Sequence, residues 1–413
     1  MNRKRIEIMS PVGSYASLMA AVQGGADAVY FGVGKLNMRA RSSVNFSLDD
    51  LETITGICRE HGLRSYLTLN TVVFDNELGE IHRIVDAAKA HGISAIIASD
   101  FAVLEYARST GMEVHISTQC NITNLAAVKF FSRYADVMVT ARELNLDQVA
   151  SIIRQIEEQQ ICGPSGAPVK IEIFAHGALC MAVSGKCYLS LDNFNQSANR
   201  GACLQPCRRT YTVKDKESEL ELEVDNEYIM SPKDLKTLDF LDKIIAAGVT
   251  VLKIEGRGRA PEYVKTVTRI YREAVDACLN GTFTPENIGL WNAELGSVYN
   301  RGFWDGYYLG QKTGEWSVKY GSQATMRKEY VGKVTNYFAK LSVAEFLIEA
   351  QPLAVGDAIQ INGATTGVYE DKLNEIRVGL QAVQSAVKGD LCSIPVTSLV
   401  RRNDKLYKLI ENA

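Results

Sequence analysis

The sequence predicts an α/β protein: a (β/α)8 TIM-barrel-like N-terminal part followed by a small C-terminal β-barrel. Three observations predict it. Up to about residue 280, eight short apolar runs alternate with amphipathic ones, the order of a parallel sheet covered by helices. Glycine follows several amphipathic runs, where a helix C-cap favours it. Past residue 323 the texture changes to short β-type runs divided by turns, as in a small all-β unit.

Taken in order, strands are expected at Ile6–Met9, Ala28–Phe31, Ser65–Leu69, Ala95–Ala98, Glu113–Ser117, Val137–Thr140, Lys170–Phe174 and Thr250–Ile254. Helical patterns between them include Leu48–His61, Glu80–His91, Phe101–Ser109, Ala126–Arg133 and Leu146–Glu158. Gly62, Gly92 and Gly111 close three of these. An open doubly wound sheet is the competing arrangement; eight similar units favour a closed barrel over residues 1–281. Residues 175–231 form a long insertion between strands seven and eight. A structureless loop of that length is uncommon, so it should carry structure or a bound group of its own. Residues 282–322 connect the two parts. They hold the aromatic, Gly-rich run Asn300–Gly310 and a linker-like stretch from Gly314 to Ser322. Over 323–413, the runs Tyr330–Val334, Ala344–Ile348, Ala358–Ile361 and Leu391–Ile394 are divided by turns at Gly356-Asp357 and Gly389-Asp390.

Composition excludes several classes. A chain of 413 residues, 46% hydrophobic and 23% charged, is not mainly disordered. With 45 basic and 48 acidic residues the net charge is −3, which excludes a polybasic protein but allows a local basic face. Pro11 and Gly13 interrupt the apolar stretch Ile6–Met9, so no signal-peptide core forms there. No run approaches the ~18 apolar residues of a membrane span. A cytoplasmic protein with no membrane contact is therefore expected. In a reducing compartment its nine cysteines are expected to be thiols, nucleophiles or metal ligands.

Cys180, Cys187, Cys203 and Cys207 fall within 28 residues. On an unbroken helix Cys180 and Cys187 would lie about 10 Å apart; Gly185 allows the chain to fold back between them. Gly201 and Pro206 shape a turn around Cys203 and Cys207. Two such pairs make a four-thiolate site, which suits zinc or an iron–sulfur cluster. The spacing alone does not choose between them, and four buried inert thiols is the plainer alternative.

Barrel active sites lie at the C-terminal ends of the strands. Arg39 and Arg41 follow strand two, Thr118 and Gln119 strand five, and Arg142 strand six; Lys253, Glu255, Arg257 and Arg259 end or follow strand eight. Guanidinium forks gathered at one mouth suit a dicarboxylate or RNA phosphates, because each can hold an oxyanion bidentately; a solvated rim charge is the alternative for any one of them. Arg39, Arg41, Gln119, Arg142, Lys253 and Arg257 are the candidate substrate-binding residues, and His176 and Glu255 the candidate catalytic ones. His176 could equally be structural, as could His115 inside a strand, and Glu172 is expected to pair with a lysine. Trp304, Tyr307 and Tyr308 could stack on bases or form an aromatic core under the C-terminal part. Lys186, Arg200, Arg208 and Arg209 offer a local basic face for RNA. A Cys180–His176 protease dyad is conceivable, but it leaves three cysteines without a purpose. A non-catalytic RNA-binding protein with structural zinc is a third class.

The stretch Glu172-x-Phe174-x-x-Gly177-Ala178-Leu179-Cys180, followed by Gly185-x-Cys187-x-Leu189-Ser190, resembles the signature of peptidase family U32 at every position. The resemblance extends to Ser10–Gly13, Gly25–Gly32, His115–Gln119, Met230–Leu235 and Leu252–Arg257. It implies a 4Fe-4S cluster on Cys180, Cys187, Cys203 and Cys207. The branch with this length and C-terminal part implies prephenate-dependent formation of 5-hydroxyuridine at the wobble position of tRNA. Other branches imply hydroxylation of an rRNA cytidine or of a ubiquinone precursor, and the family name implies a peptidase of the collagenase-like kind.

Overall fold

The computed structural model describes residues 6–41, 44–211, 217 and 230–412. Ten strands form the first sheet: β1 (Glu7–Pro11), β2 (Ala28–Gly32), β3 (Arg64–Leu69), β4 (Ala95–Ala98), β5 (Val114–Ile116), β6 (Val137–Val139), β7 (Lys170–Gly177), β8 (Asp234–Lys236), β9 (Val251–Ile254) and β10 (Phe303–Trp304). β1 to β7 pair in sequence order and in parallel. β9 pairs in parallel with both β7 and β1 and closes the barrel. The expected eight-stranded closure is therefore present, each strand within a few residues of its sequence-based position. β8 and β10 were not foreseen: β8 runs antiparallel to the end of β7, and β10 pairs with β8. Strands of three and two residues are too short to leave a period-two signal.

The pleat decides which side chains enter the barrel. On β1, Met9 packs inside and Ile8 outside; on β2, Ala28 and Tyr30 pack inside while Val29 and Phe31 face the helices. The helical layer comprises α1 (Tyr15–Gln23), α2 (Leu51–Glu60), α3 (Leu78–Ala90), α4 (Phe101–Thr110), α5 (Leu125–Phe131), α6 (Leu146–Glu158), a short α7 (Leu189–Phe194) in the cysteine segment, α8 (Leu241–Ala246), α9 (Pro261–Asn280) and α10 (Pro285–Ser297). Side chains cap the N-termini of several: Ser14 on α1, Asp100 on α4, Asn124 on α5 and Asn145 on α6. Gly62, Gly92 and Gly111 take φ of 68°, 73° and 70° after α2, α3 and α4, the conformation expected of residues that end a helix.

Trp304 and Tyr308 are buried in the barrel's own core, and the Tyr308 hydroxyl donates to the Phe174 carbonyl at 3.0 Å. The aromatic run is therefore core, under the barrel rather than under the C-terminal part. The linker-like stretch is tied down: Lys233 N–H donates to Glu315 O and Ser317 N–H to Ser231 O.

Ten strands follow: β11 (Met326–Phe338), β12 (Val343–Ile348), β13 (Leu353–Ala354), β14 (Ala358–Gly363), β15 (Gly367–Lys372), β16 (Ile376–Val378), β17 (Gln381–Val383), β18 (Ser385–Ala386), β19 (Leu391–Pro395) and β20 (Lys405–Glu411). Eight of them make an antiparallel sheet in the order β15-β14-β20-β11-β12-β19-β16-β17, and β13 pairs with β18. The sheet wraps a second core that includes Val331, Phe346, Ile361, Ile394 and Leu406. Register shifts at Tyr330/Gly332 and Val334/Asn336 mark irregularities in the long strand β11. The sheet rests on α1 and α9. The Gln23 amide donates to Thr366 O and accepts from Val368 N–H, and Lys265 reaches Val368 O and Glu370.

Candidate active site

A cavity of about 240 Å³ opens at the C-terminal ends of the barrel strands. Its floor is the top of the barrel interior: Tyr30 from β2, Thr68 from β3, Phe174 from β7 and Lys253 from β9. Below it a string of ionisable groups crosses the barrel. Lys253 Nζ donates to Glu172 Oε1 at 2.7 Å, and Glu172 Oε2 faces His115 Nδ1 at 3.9 Å. His115 Nε2 lies 3.3 Å from Glu113, which takes both oxygens to Arg64 at 2.7 and 2.8 Å. Glu172 pairs with a lysine as the sequence suggested, and His115 serves this interior string.

Cations dominate the walls. Arg39 donates to Glu255 at 2.8 Å. Arg257 donates to Thr68 Oγ1 at 2.7 Å. Arg142 stacks on the Phe174 ring at 3.8 Å and donates to Ala178 O at 3.0 Å, with its Nε buried and unpartnered. Arg208 donates to Leu179 O at 2.6 Å, and Arg301 to buried Asp234 at 3.2 Å. Burial lowers the pKa of Arg142, Arg208 and Lys253, and takes Arg257 down to about 10. Burial opposes ionisation of Glu255 as well, but Arg39, Arg259 and Arg142 prevail and hold its carboxyl at about 2. Such a wall leaves the cavity with a surplus of positive charge.

The cysteine segment forms the roof. Cys180, Cys187, Cys203 and Cys207 all line this one cavity as free thiols. Gly185, with φ of 76°, turns the chain between the first two, and a Cβ there would stand 1.6 Å from Gln119 Oε1. A short turn at Pro206–Arg208 follows Cys203. Burial raises the Cys207 thiol; Arg208 lowers it, and Cys180, Cys203 and Cys187 raise it again. Among the described residues, no three or more His, Cys, Asp or Glu side chains are drawn together as a single metal ion would require. These four sulfurs are nonetheless the cavity's soft donor set.

Of the sequence-derived candidates, Arg39, Gln119, Arg142, Lys253, Glu255, Arg257 and the four cysteines share this cavity. Two lie elsewhere. Arg41 is exposed outside the lining, where its backbone N–H donates to Gly201 O at 3.3 Å. His176 is buried on the helix side of β7, with its ring against Tyr263, Tyr271 and Phe303. The register shift between Phe174 and His176 separates it from the cavity-facing side chain before it. Burial, then Lys236 and Arg259, push His176 down to about 3, so it is neutral near pH 7. Sequence reasoning gave Tyr30, Asn70 and Arg301 no part in the site. Arg301 arrives only because β10 adds to β8, a pairing without a sequence signal.

Fold and site together define a (β/α)8-barrel protein with a cationic, four-cysteine cavity at the C-terminal ends of its strands. The chain belongs to peptidase family U32, whose description matches residues 13–318, a family of enzymes. It is similar to a protein named collagenase from Porphyromonas gingivalis, with 60% identity over 99% of both chains. It is 32% identical to tRNA hydroxylation protein P1 of Bacillus subtilis, over 81% of this chain and 78% of that one. It is 37% identical to the 23S rRNA 5-hydroxycytidine C2501 synthase of Escherichia coli, over 67% of this chain and 40% of that one. Among the described residues no helix is long and apolar enough to cross a membrane.

Proposed function

We propose that this protein hydroxylates a pyrimidine of RNA in the cytoplasm, converting a tRNA wobble uridine to 5-hydroxyuridine, with prephenate as co-substrate. Cys180, Cys187, Cys203 and Cys207 would hold a 4Fe-4S cluster. The observation that carries the reading is the meeting of four thiols with a surplus of guanidinium groups in one cavity. Arg39, Arg142 and Arg208 lie where they feel the thiols Cys203, Cys180 and Cys207, an environment that suits a negatively charged thiolate cluster. When bound, the cluster would supply one-electron chemistry beside the base. Arg257, Arg142 and Lys253 bind and orient a small dicarboxylate. Glu255, held as a carboxylate, positions Arg39. The RNA-hydroxylating relatives support the same reading.

A peptidase is the second reading, favoured by the similarity to the collagenase. A cysteine or serine peptidase needs a nucleophile beside a general base, most often histidine. None of the chain's five histidines lines the cavity. Rearranging the site to form a Cys180–His176 dyad would require His176 to leave its packed pocket.

A deletion strain tests the reading directly. Its digested tRNA is expected to lose 5-hydroxyuridine derivatives by mass spectrometry, and anaerobically purified protein to absorb near 400 nm. Unchanged tRNA in a host without a paralogue would overturn the tRNA assignment, and loss of an rRNA hydroxycytidine would move it to rRNA. Cleavage of denatured collagen by the cluster-free protein would favour the peptidase.

A further inference from the structure

Around the cavity mouth, the cysteine segment exposes apolar side chains that no described residue of the barrel covers. Tyr188 lies between Cys187 and Leu189, both of which line the cavity, yet its side chain is 75% exposed. Leu204 alternates in the same way between cavity-lining Cys203 and Gln205, with 42% exposure. α7 places Leu191 and Phe194 on the surface three and six residues after Tyr188. The loop after β3, tied to the cysteine segment by the Val72 N–H that donates to Asn199 O, exposes Phe74.

Guanidinium groups accompany two of these rings. Arg209 lies over Phe194 at 4.9 Å, and Arg200 over Phe74 at 4.3 Å. Arg200 also pairs with Glu77, which fixes it against the ring. From Gly177 to Tyr211 there are four cations and one anion, in a chain whose net charge is −3. An apolar rim of this kind beside basic side chains fits a polyanion with exposed flat faces. Unpaired bases on a phosphate backbone have both properties, because any base can stack on an aromatic ring or a guanidinium plane. A duplex keeps its base faces covered and offers phosphates, 2′-hydroxyls and base edges instead.

We propose that this rim is a stacking platform for single-stranded RNA, with bases flanking the target nucleotide laid on Tyr188, on Phe194 with Arg209, and on Phe74 with Arg200. The proposal rests on the RNA reading above and names how that substrate is gripped. It assigns Tyr188 and Phe194 a binding role outside the cavity.

The test is fluorescence anisotropy with anaerobically purified full-length protein. The probes are a labelled 12-nucleotide oligouridylate and the same strand annealed to its complement. The single strand is expected to bind tighter than the duplex. Tyr188→Ala and Phe194→Ala should each weaken it about tenfold, and Tyr188→Phe should restore wild-type affinity because the ring face, not the hydroxyl, does the stacking. Leu380→Ala, an exposed change in the C-terminal sheet, should have no effect. Three results would overturn the proposal: alanine variants that bind like wild type, a preference for the duplex, or a wild-type dimer that Tyr188→Ala converts to monomer, which would make the rim a contact between copies. If wild type binds and modifies RNA while the variants bind equally well, only the platform fails. If wild type binds no RNA at all, the proposed function fails with it.

Discussion

Glu172 and Lys253 meet at 2.7 Å inside the barrel, both almost without solvent contact. Burying two charges is costly, and removing one partner strands the other. Glu172→Gln should therefore destabilise the protein by about 3–5 kcal/mol in urea unfolding, while the double change Glu172→Gln with Lys253→Met should recover a large part of that loss. Burial depresses the pKa of His176 to about 3 in the folded protein. The unfolded chain protonates it near ~6.5, so below that pH the unfolded state binds the extra proton. The stability it contributes is fully present above ~6.5 and is lost as pH falls toward 3. Glu255 and Glu113, both lowered to about 2, enter only below ~4.5. Between pH 6.5 and 4.5 the wild type should lose about 2–3 kcal/mol that His176→Asn does not lose over the same interval. Parallel pH slopes for the two proteins would contradict this.

At the scale of elements, the end of β7 controls how the cysteine segment leaves the barrel. Gly177 sits at φ of 107°, and a Cβ there would stand 2.5 Å from Glu255 O and 2.9 Å from Tyr263 Oη. Backbone cannot yield as a flexible side chain can, and an L-residue is strained at this φ. Gly177→Ala should cost about 2 kcal/mol of stability and displace Glu255 and the roof together. Calorimetry should show a lower Tm, and oligouridylate should bind more weakly. A variant with wild-type Tm would mean that β7 and β9 can part here without penalty.

For the whole molecule, two separate cores meet across a junction made largely of polar contacts from Gln23, Lys265 and Glu262 to the C-terminal sheet, with Val368 its buried apolar residue. Junctions of this kind couple two units weakly. All three tryptophans, Trp291, Trp304 and Trp316, precede the C-terminal sheet. Thermal unfolding followed by tryptophan fluorescence should thus report the barrel alone and fail to coincide with far-UV circular dichroism, which reports both parts. Coincident curves would mean that the junction binds the two cores into one cooperative unit.

The barrel was legible in the sequence because each of its strands is a short apolar run, and several helices between them start at a capping Ser, Asp or Asn or are followed by Gly62, Gly92 or Gly111. Cys180, Cys187, Cys203 and Cys207 were legible as a group because their types are rare and their spacing is close. The strand-end cations Arg39, Arg142, Lys253 and Arg257 were legible because the fold dictates where strand ends meet. What the sequence could not determine was which side of a strand end a residue faces. His176 and Phe174 are two apart and should share a face by the strand period, but a register shift turns His176 to the helices. Arg301 and Asp234 are 67 residues apart and join only through the pairing of β8 with β10. Local propensity and period are written residue by residue along the chain. Irregular register and long-range pairing are decided by packing between segments, so only the tertiary structure settles them.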